Sequence, residues 1–127
     1  MTIRAPRRRG AVAGAYVHAR ARRPADVYLG RGSGLGNPFP LGRPCARCGA
    51  VHAGKGSTLP CYEADLRERL GASAEFRARA VAAYDRVAAG ARASCFCGAG
   101  PAVPAHCHVA VFLRVVGAAL TVAELPR

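Results

Sequence analysis

Residues 93–116 read ASCFCGAGPAVPAHCHVAVFLRVV. This stretch decides the fold, because it joins a strand to a helix through a knot of metal-type ligands. Ala93 to Cys97 reads as a short strand. Val109, Phe112, Leu113 and Val116 recur at i, i+3, i+4 and i+7, which predicts a helix from about Ala105 to Val116. Between the two, Cys95, Cys97, His106, Cys107 and His108 place three sulfurs and two imidazoles within fourteen residues. Thiolate and neutral imidazole are the ligands that borderline-soft metals prefer, zinc above all.

Geometry narrows the ligand set. Cys95 and Cys97 face the same side of an ideal strand, with Cα atoms about 6.5 Å apart. Chelating one ion with both requires a bend, which Gly98 and Gly100 permit. Successive helical positions diverge by about 100°, so His106, Cys107 and His108 do not all reach one ion. Cys107 plus one neighbouring histidine remains, and Cys95, Cys97, Cys107 and His108 make a closed four-ligand site. A helix N-terminus would favour the Cys107 thiolate. A rival reading makes Cys107 a nucleophile of lowered pKa beside His106 or His108. A third treats these groups as small buried side chains, since free cysteine is among the most buried types.

Upstream, Cys45-x2-Cys48-x3-His52-x8-Cys61 is a second ligand set. Two cysteines separated by two residues form a compact turn whose sulfurs can share one metal, so zinc is expected here too. The other readings are inert loop thiols and a redox-active pair.

Further outward the chain alternates short strands, loops and helices. Residues 1–10 read as a basic flexible arm. Ala15 to Ala19 and Asp26 to Gly30 are strand candidates, separated by a turn containing Pro24. Arg31 to Pro40 is a glycine loop, and residues 41–61 form a Cys-rich loop insertion. A helix is predicted from Leu59, capped by Thr58 and stopped by Gly71, with Tyr62, Leu66 and Leu70 on one face. Ser73 caps a second, whose stripe is Phe76, Ala80, Val81, Tyr84 and Val87 or Ala88. The expected fold is α+β, or small α/β. It has a short mixed sheet, about three helices and a single compact metal-supported domain over residues 11–117, with a C-terminal tail at 118–127.

Composition bounds the function. The chain has 127 residues, 51% of them hydrophobic, which argues against wholesale disorder. Its net charge is +12, from 18 Arg, one Lys and seven acids. Residues 1–31 hold eight Arg against the single acid Asp26. Such a field attracts polyanions, although an Arg-, Ala- and Gly-rich chain is also what a GC-rich genome encodes. No segment has a signal-peptide core, and none approaches the ~20 apolar residues of a membrane span. A cytoplasmic location is therefore expected, where cysteines serve as ligands or reactive thiols rather than disulfides.

The glycine loop is the candidate binding element. Its glycines let backbone N–H groups converge on an anion, Arg31 adds a guanidinium, and Asn37 offers an amide to a base or ribose. The candidate contacts are Arg31, Gly32, Ser33, Gly34, Gly36 and Asn37. The pattern is neither a P-loop nor a dinucleotide fingerprint, and its bland reading is a flexible connector.

Val27 to Arg31, Gly32-Ser33 and Leu35 to Phe39 together resemble the opening block of a small domain of unknown function found in bacteriophages and actinobacteria. Members continue with a Tyr-x-x-x-Leu helix, matched by Tyr62 and Leu66. They end in a Cys-x-Cys, proline, Cys-His block before an apolar helix, matched by Cys95, Cys97, Pro101 or Pro104, Cys107 and His108. The resemblance covers roughly residues 12 to 117. Two departures are a longer gap between Cys97 and Cys107 and the Cys45–Cys48 loop, which looks inserted. The strand and glycine loop are also similar to the start of nucleoside deoxyribosyltransferases. No matching carboxylate accompanies that likeness, because Glu63 and Asp65 read as part of a solvated helix face.

The expectation is a zinc-supported small module that binds nucleic acid or a nucleotide through the glycine loop and a basic surface. The alternative is a nucleotide- or base-processing enzyme, transferase- or glycosidase-like, using the loop with Cys107 and His108 or His106, or an open metal position. A protein-interaction module is the third class.

Overall fold

The computed structural model describes residues 15–98, 100–104 and 107–121. The expected arm at residues 1–10, His106 and the last part of the expected tail lie outside them. The elements in chain order are β1 (Ala15–His18), β2 (Val27–Tyr28), α1 (Leu59–Ala72), α2 (Ala74–Ala88), β3 (Arg92–Cys95) and α3 (His108–Thr121). Among the described residues, three α-helices and a small sheet make this an α+β domain, as expected.

The strands run in the order β1-β3-β2, with β3 in the centre. Both pairings are parallel, setting Tyr16 against Ala93, His18 against Cys95 and Tyr28 against Ser94. The sheet is thus parallel rather than mixed, and an isolated antiparallel bridge joins Ala15 to Ala102. The direction follows from the connection: α1 and α2 carry the chain from the end of β2 back to the start of β3, and parallel neighbours need such a crossover. Asp26 locks the turn before β2 onto β3. Its carboxylate accepts from Arg92 Nε at 3.0 Å and Nη2 at 2.8 Å, and from the Arg23 N–H at 2.7 Å.

The predicted helical stripes are the core. Tyr62, Leu66 and Leu70 of α1, Phe76, Ala80, Val81 and Tyr84 of α2, and Val109, Phe112, Leu113 and Val116 of α3 are all buried. Val111 and Val115 are buried as well, so α3 is covered on most of its circumference. Among the described residues no helix is long and apolar enough to cross a membrane.

Element ends depart from expectation for identifiable reasons. β3 stops at Cys95, because the Cys97 N–H turns back to Cys95 Sγ at 3.4 Å instead of continuing a ladder. α3 begins at His108 rather than Ala105, after a turn closed by Cys107 N–H to Pro104 O at 3.2 Å. It runs on to Thr121, so residues 118–121 are helix rather than tail, and buried Ala119 continues the core-facing pattern. Gly71 does not stop α1, which ends one residue later. Ser73 caps both neighbours, its N–H bonding Arg69 O at 3.0 Å and its Oγ accepting from Phe76 N–H at 3.1 Å. Thr58 holds the N-cap position of α1 without a side-chain capping bond, and its hydroxyl accepts from Asn37 Nδ2 at 2.8 Å instead.

Candidate metal centres and the adjoining cavity

The turn that ends β3 and the start of α3 bring four donors together. Cys95 Sγ, Cys97 Sγ, Cys107 Sγ and a His108 ring nitrogen lie within 4.8 Å of one another, so the group can hold a metal ion. Cys95 Sγ and Cys107 Sγ are 3.4 Å apart, and Cys97 Sγ is 3.6 Å from His108 Nδ1. Sulfurs bound to one tetrahedral ion at about 2.3 Å sit about 3.8 Å apart, close to this spacing. Disulfide bonding would require about 2.05 Å, and all six cysteines are free.

The surroundings set the ligand atoms. His108 Nε2 lies 2.6 Å from the Leu29 carbonyl oxygen. A carbonyl only accepts, so Nε2 carries the proton and Nδ1 presents its lone pair to the sulfurs. This is the outer contact that orients a metal-binding histidine. The Val109 N–H points at Cys107 Sγ and the Cys97 N–H at Cys95 Sγ, both at 3.4 Å. The Tyr16 hydroxyl donates to Cys95 O at 3.0 Å, lies 3.0 Å from Cys95 Sγ and accepts from the Gly98 N–H at 3.1 Å. Bonding from Cys107, then Cys97 and Tyr16, holds the Cys95 thiol well below its ordinary range. The same contact with Cys95, together with Cys97 and burial, pushes Cys107 far up.

The second set also closes. Donor atoms of Cys45, Cys48, His52 and Cys61 lie within 4.8 Å of one another. Cys45 to Ala50 form a knuckle: Gly49 N–H bonds Cys45 O and Cys45 N–H bonds Ala50 O, each at 2.8 Å. Gly49 takes φ 78°, a value glycine reaches without strain. The Arg47 N–H reaches Cys45 Sγ at 3.4 Å. The Cys48 N–H, foremost among several donors, pulls the Cys45 thiol down to about 6. Burial, then the neighbouring Cys48 and Cys45, pushes Cys61 up to about 11. His52 Nε2 lies 3.4 Å from Cys48 Sγ and 3.7 Å from Cys61 Sγ. Cys61 sits in the first turn of α1, so this centre would pin the inserted loop to that helix.

A cavity of about 420 Å³ opens beside the first centre. Tyr28, Gly30 and Arg31 line it from the end of β2, and Phe96 and Cys97 from the end of β3. Thr58 and Leu59 come from the start of α1, His108 from the start of α3, and Lys55 from the inserted loop. The cavity thus lies beyond the carboxyl ends of parallel strands, where open α/β sheets bind ligands. Among the described residues that line it, Arg31 and Lys55 are the cations and none is acidic.

The glycine loop is divided in its roles. Arg31 at its start and Asn37 and Phe39 in its second half line the cavity; Gly32, Ser33, Gly34 and Gly36 are not among the lining residues. The loop carbonyls face the helices, with Ser33 O accepting from Arg79 at 2.6 Å, Gly34 O from Arg69 at 3.2 Å and Leu35 O from Tyr62 at 2.8 Å. Gly36 allows a close approach of backbone to backbone, because a Cβ there would stand 2.7 Å from the carbonyl oxygens of Leu29 and Gly30. Asn37 Oδ1 accepts from Phe39 N–H at 2.9 Å while Nδ2 donates to Thr58. The carbonyls of Ser33, Gly34 and Leu35 thus tie the middle of the loop to α1 and α2.

The candidate nucleophile is poorly placed for substrate. Cys107 is 0% exposed and sits inside the four-donor cluster. Both ring nitrogens of His108 are engaged. Glu63 pairs with Arg67 and Arg114, and Asp65 with Arg69, in keeping with a solvated helix face. Sequence reading missed Tyr16, Lys55, Phe96 and the Leu29 carbonyl. Two of these carried a signal: Lys55 is the one lysine among 19 basic residues, and Phe96 stands between two ligands. No protein of described function and no solved structure matches the chain significantly. The model of a family described as a domain of unknown function, DUF4326, does match, over residues 16–118. That span runs from β1 through both ligand sets and most of α3, and the chain belongs to this family.

Proposed function

We propose that the protein is a zinc-supported module that binds nucleic acid or a nucleotide in the cavity beside the first metal centre. The observation that carries this reading is the cavity's lining: Arg31 and Lys55, the start of α1 and three aromatic rings (Tyr28, Phe39, Phe96), with no carboxylate among the described lining residues. The cations and the helix N-terminus favour an anionic group. The rings suit a flat, apolar one. A phosphate joined to a base combines both.

Zinc is the fitting ion, because three sulfurs and one imidazole per set are its structural donor pattern, and four protein donors leave no open position for a reacting water. The first centre would hold the end of β3 and the start of α3 together, fixing Cys97 and His108 as one wall of the cavity.

Elemental analysis and a binding titration test the proposal together. The purified protein is expected to retain zinc at both sets. Its affinity for a single-stranded oligonucleotide should fall steeply with salt, because phosphate contacts release counterions. Replacing both Arg31 and Lys55 with alanine should weaken that binding and flatten the salt dependence. Metal-free protein, or protein indifferent to polyanions at low salt, overturns the reading.

A further inference from the structure

We propose that Phe96 is the stacking platform of the cavity, so the ligand it selects carries an unpaired base: a single strand or a free nucleotide, not a duplex. This rests on the reading above and adds the class of ligand to it.

Three of the four phenylalanines, Phe39, Phe76 and Phe112, are buried, whereas Phe96 is 56% exposed at the cavity. Leaving such a ring in water forgoes the burial that the other three gain. Phe96 stands between Cys95 and Cys97, two donors of the first centre. His18 and Tyr28 meet it perpendicularly, with centroids at 5.3 Å and 86° and at 6.3 Å and 90°. Neither lies parallel to it, so among the described residues no ring is stacked on Phe96. Tyr28 is the less available platform, because the Arg22 guanidinium lies 4.4 Å from its ring centroid. Exposed Leu41 extends the apolar rim of the same cavity.

An aromatic face beside cations is how proteins hold single-stranded nucleic acid: the base stacks and the phosphate pairs. In a duplex the base faces are already covered by neighbouring pairs and cannot reach a side-chain ring.

The test compares wild type, Phe96→Ala, Phe96→Leu and Phe96→Trp, each checked for metal by elemental analysis. Three ligands are titrated at one salt concentration: a single-stranded oligonucleotide, the same sequence as a duplex, and inorganic polyphosphate, which has charge but no base. Wild type should prefer the single strand to the duplex. Phe96→Ala and Phe96→Leu should weaken single-strand binding by about ten-fold or more, the range of one lost base–aromatic stack. Phe96→Trp should retain it, and polyphosphate should bind all four alike. Phe96→Leu keeps apolar bulk, so it stands as the working variant if Phe96→Ala loses metal. Equal binding of the duplex, an unchanged affinity in Phe96→Leu, or a matching loss for polyphosphate overturns the stacking role while leaving the cavity reading intact. A wild type that binds none of the three, nor a free nucleoside triphosphate, overturns both.

Discussion

At the scale of single residues, the backbone of Leu29 is where the two sequence motifs meet. Its carbonyl accepts from His108 Nε2, and Gly36 packs against that same oxygen. An alanine at 36 would place its Cβ 2.7 Å from backbone atoms, which have no rotamer with which to move aside. Gly36→Ala is expected to destabilise the fold by about 1–3 kcal/mol, the range of strained or overpacked core changes. It should also weaken metal binding at the first centre by about ten-fold, since it displaces the contact that orients a ligand. Gly54→Ala is the control, because nothing lies within 4 Å of the added carbon. Chelator competition on the two variants decides the matter, and equal metal retention would contradict the link through Leu29.

At the scale of elements, two short segments carry more than their length implies. Ser73 terminates α1 and starts α2, so Ser73→Ala removes a true N-cap. Urea unfolding should show a loss of about 1 kcal/mol. The inserted loop has a different role. A metal held by its four donors would anchor it to the first turn of α1, and between those donors it carries Lys55, whose Nζ reaches Cys97 O at 3.2 Å. Cys48→Ser, at an exposed donor of that set, should halve the metal content of a chain with two such groups and spare the first centre. Anion binding should weaken about as much as in Lys55→Ala, because the loop no longer holds that cation in place. Unimpaired binding in the half-loaded variant would show that the loop does not position the cavity wall.

At the scale of the whole molecule, charge and acid stability are linked. Arg92, then the Arg23 N–H, holds Asp26 below its usual range; Arg114 and then Arg67 do the same for Glu63, and Arg47 for Glu68. A carboxyl whose folded pKa is depressed stabilises the fold above its unfolded value, and that contribution is lost as pH falls through the folded one. These pairs therefore weaken only below the ordinary carboxylate range of about 4. Thiolate ligands are protonated sooner, since metal binding competes with protons at the sulfurs. Acid titration should show metal release first and collapse of the ion pairs second. Asp26→Asn should be less stable near neutral pH and should lose part of the second step, leaving the first in place. Circular dichroism together with a metal-sensing dye separates the two, and a single merged transition would count against this order.

Much of this was legible because it is local. The stripes of α1, α2 and α3, the Ser73 cap and both ligand sets follow from spacings within a turn or two, and the divergence of successive helical positions already paired Cys107 with one histidine. The parallel direction of strands only two to four residues long was not legible. Such strands are too short to show a period, and their direction is set by the crossover around them. Nor was the link from His108 to Leu29 or from Tyr16 to Cys95, each spanning 79 residues. A backbone carbonyl used as an acceptor leaves no mark on side-chain pattern. Folding alone brings the ends of β2 and β3, the starts of α1 and α3 and the inserted loop around one cavity, and thereby turns Lys55 and Phe96 from surface residues into its walls.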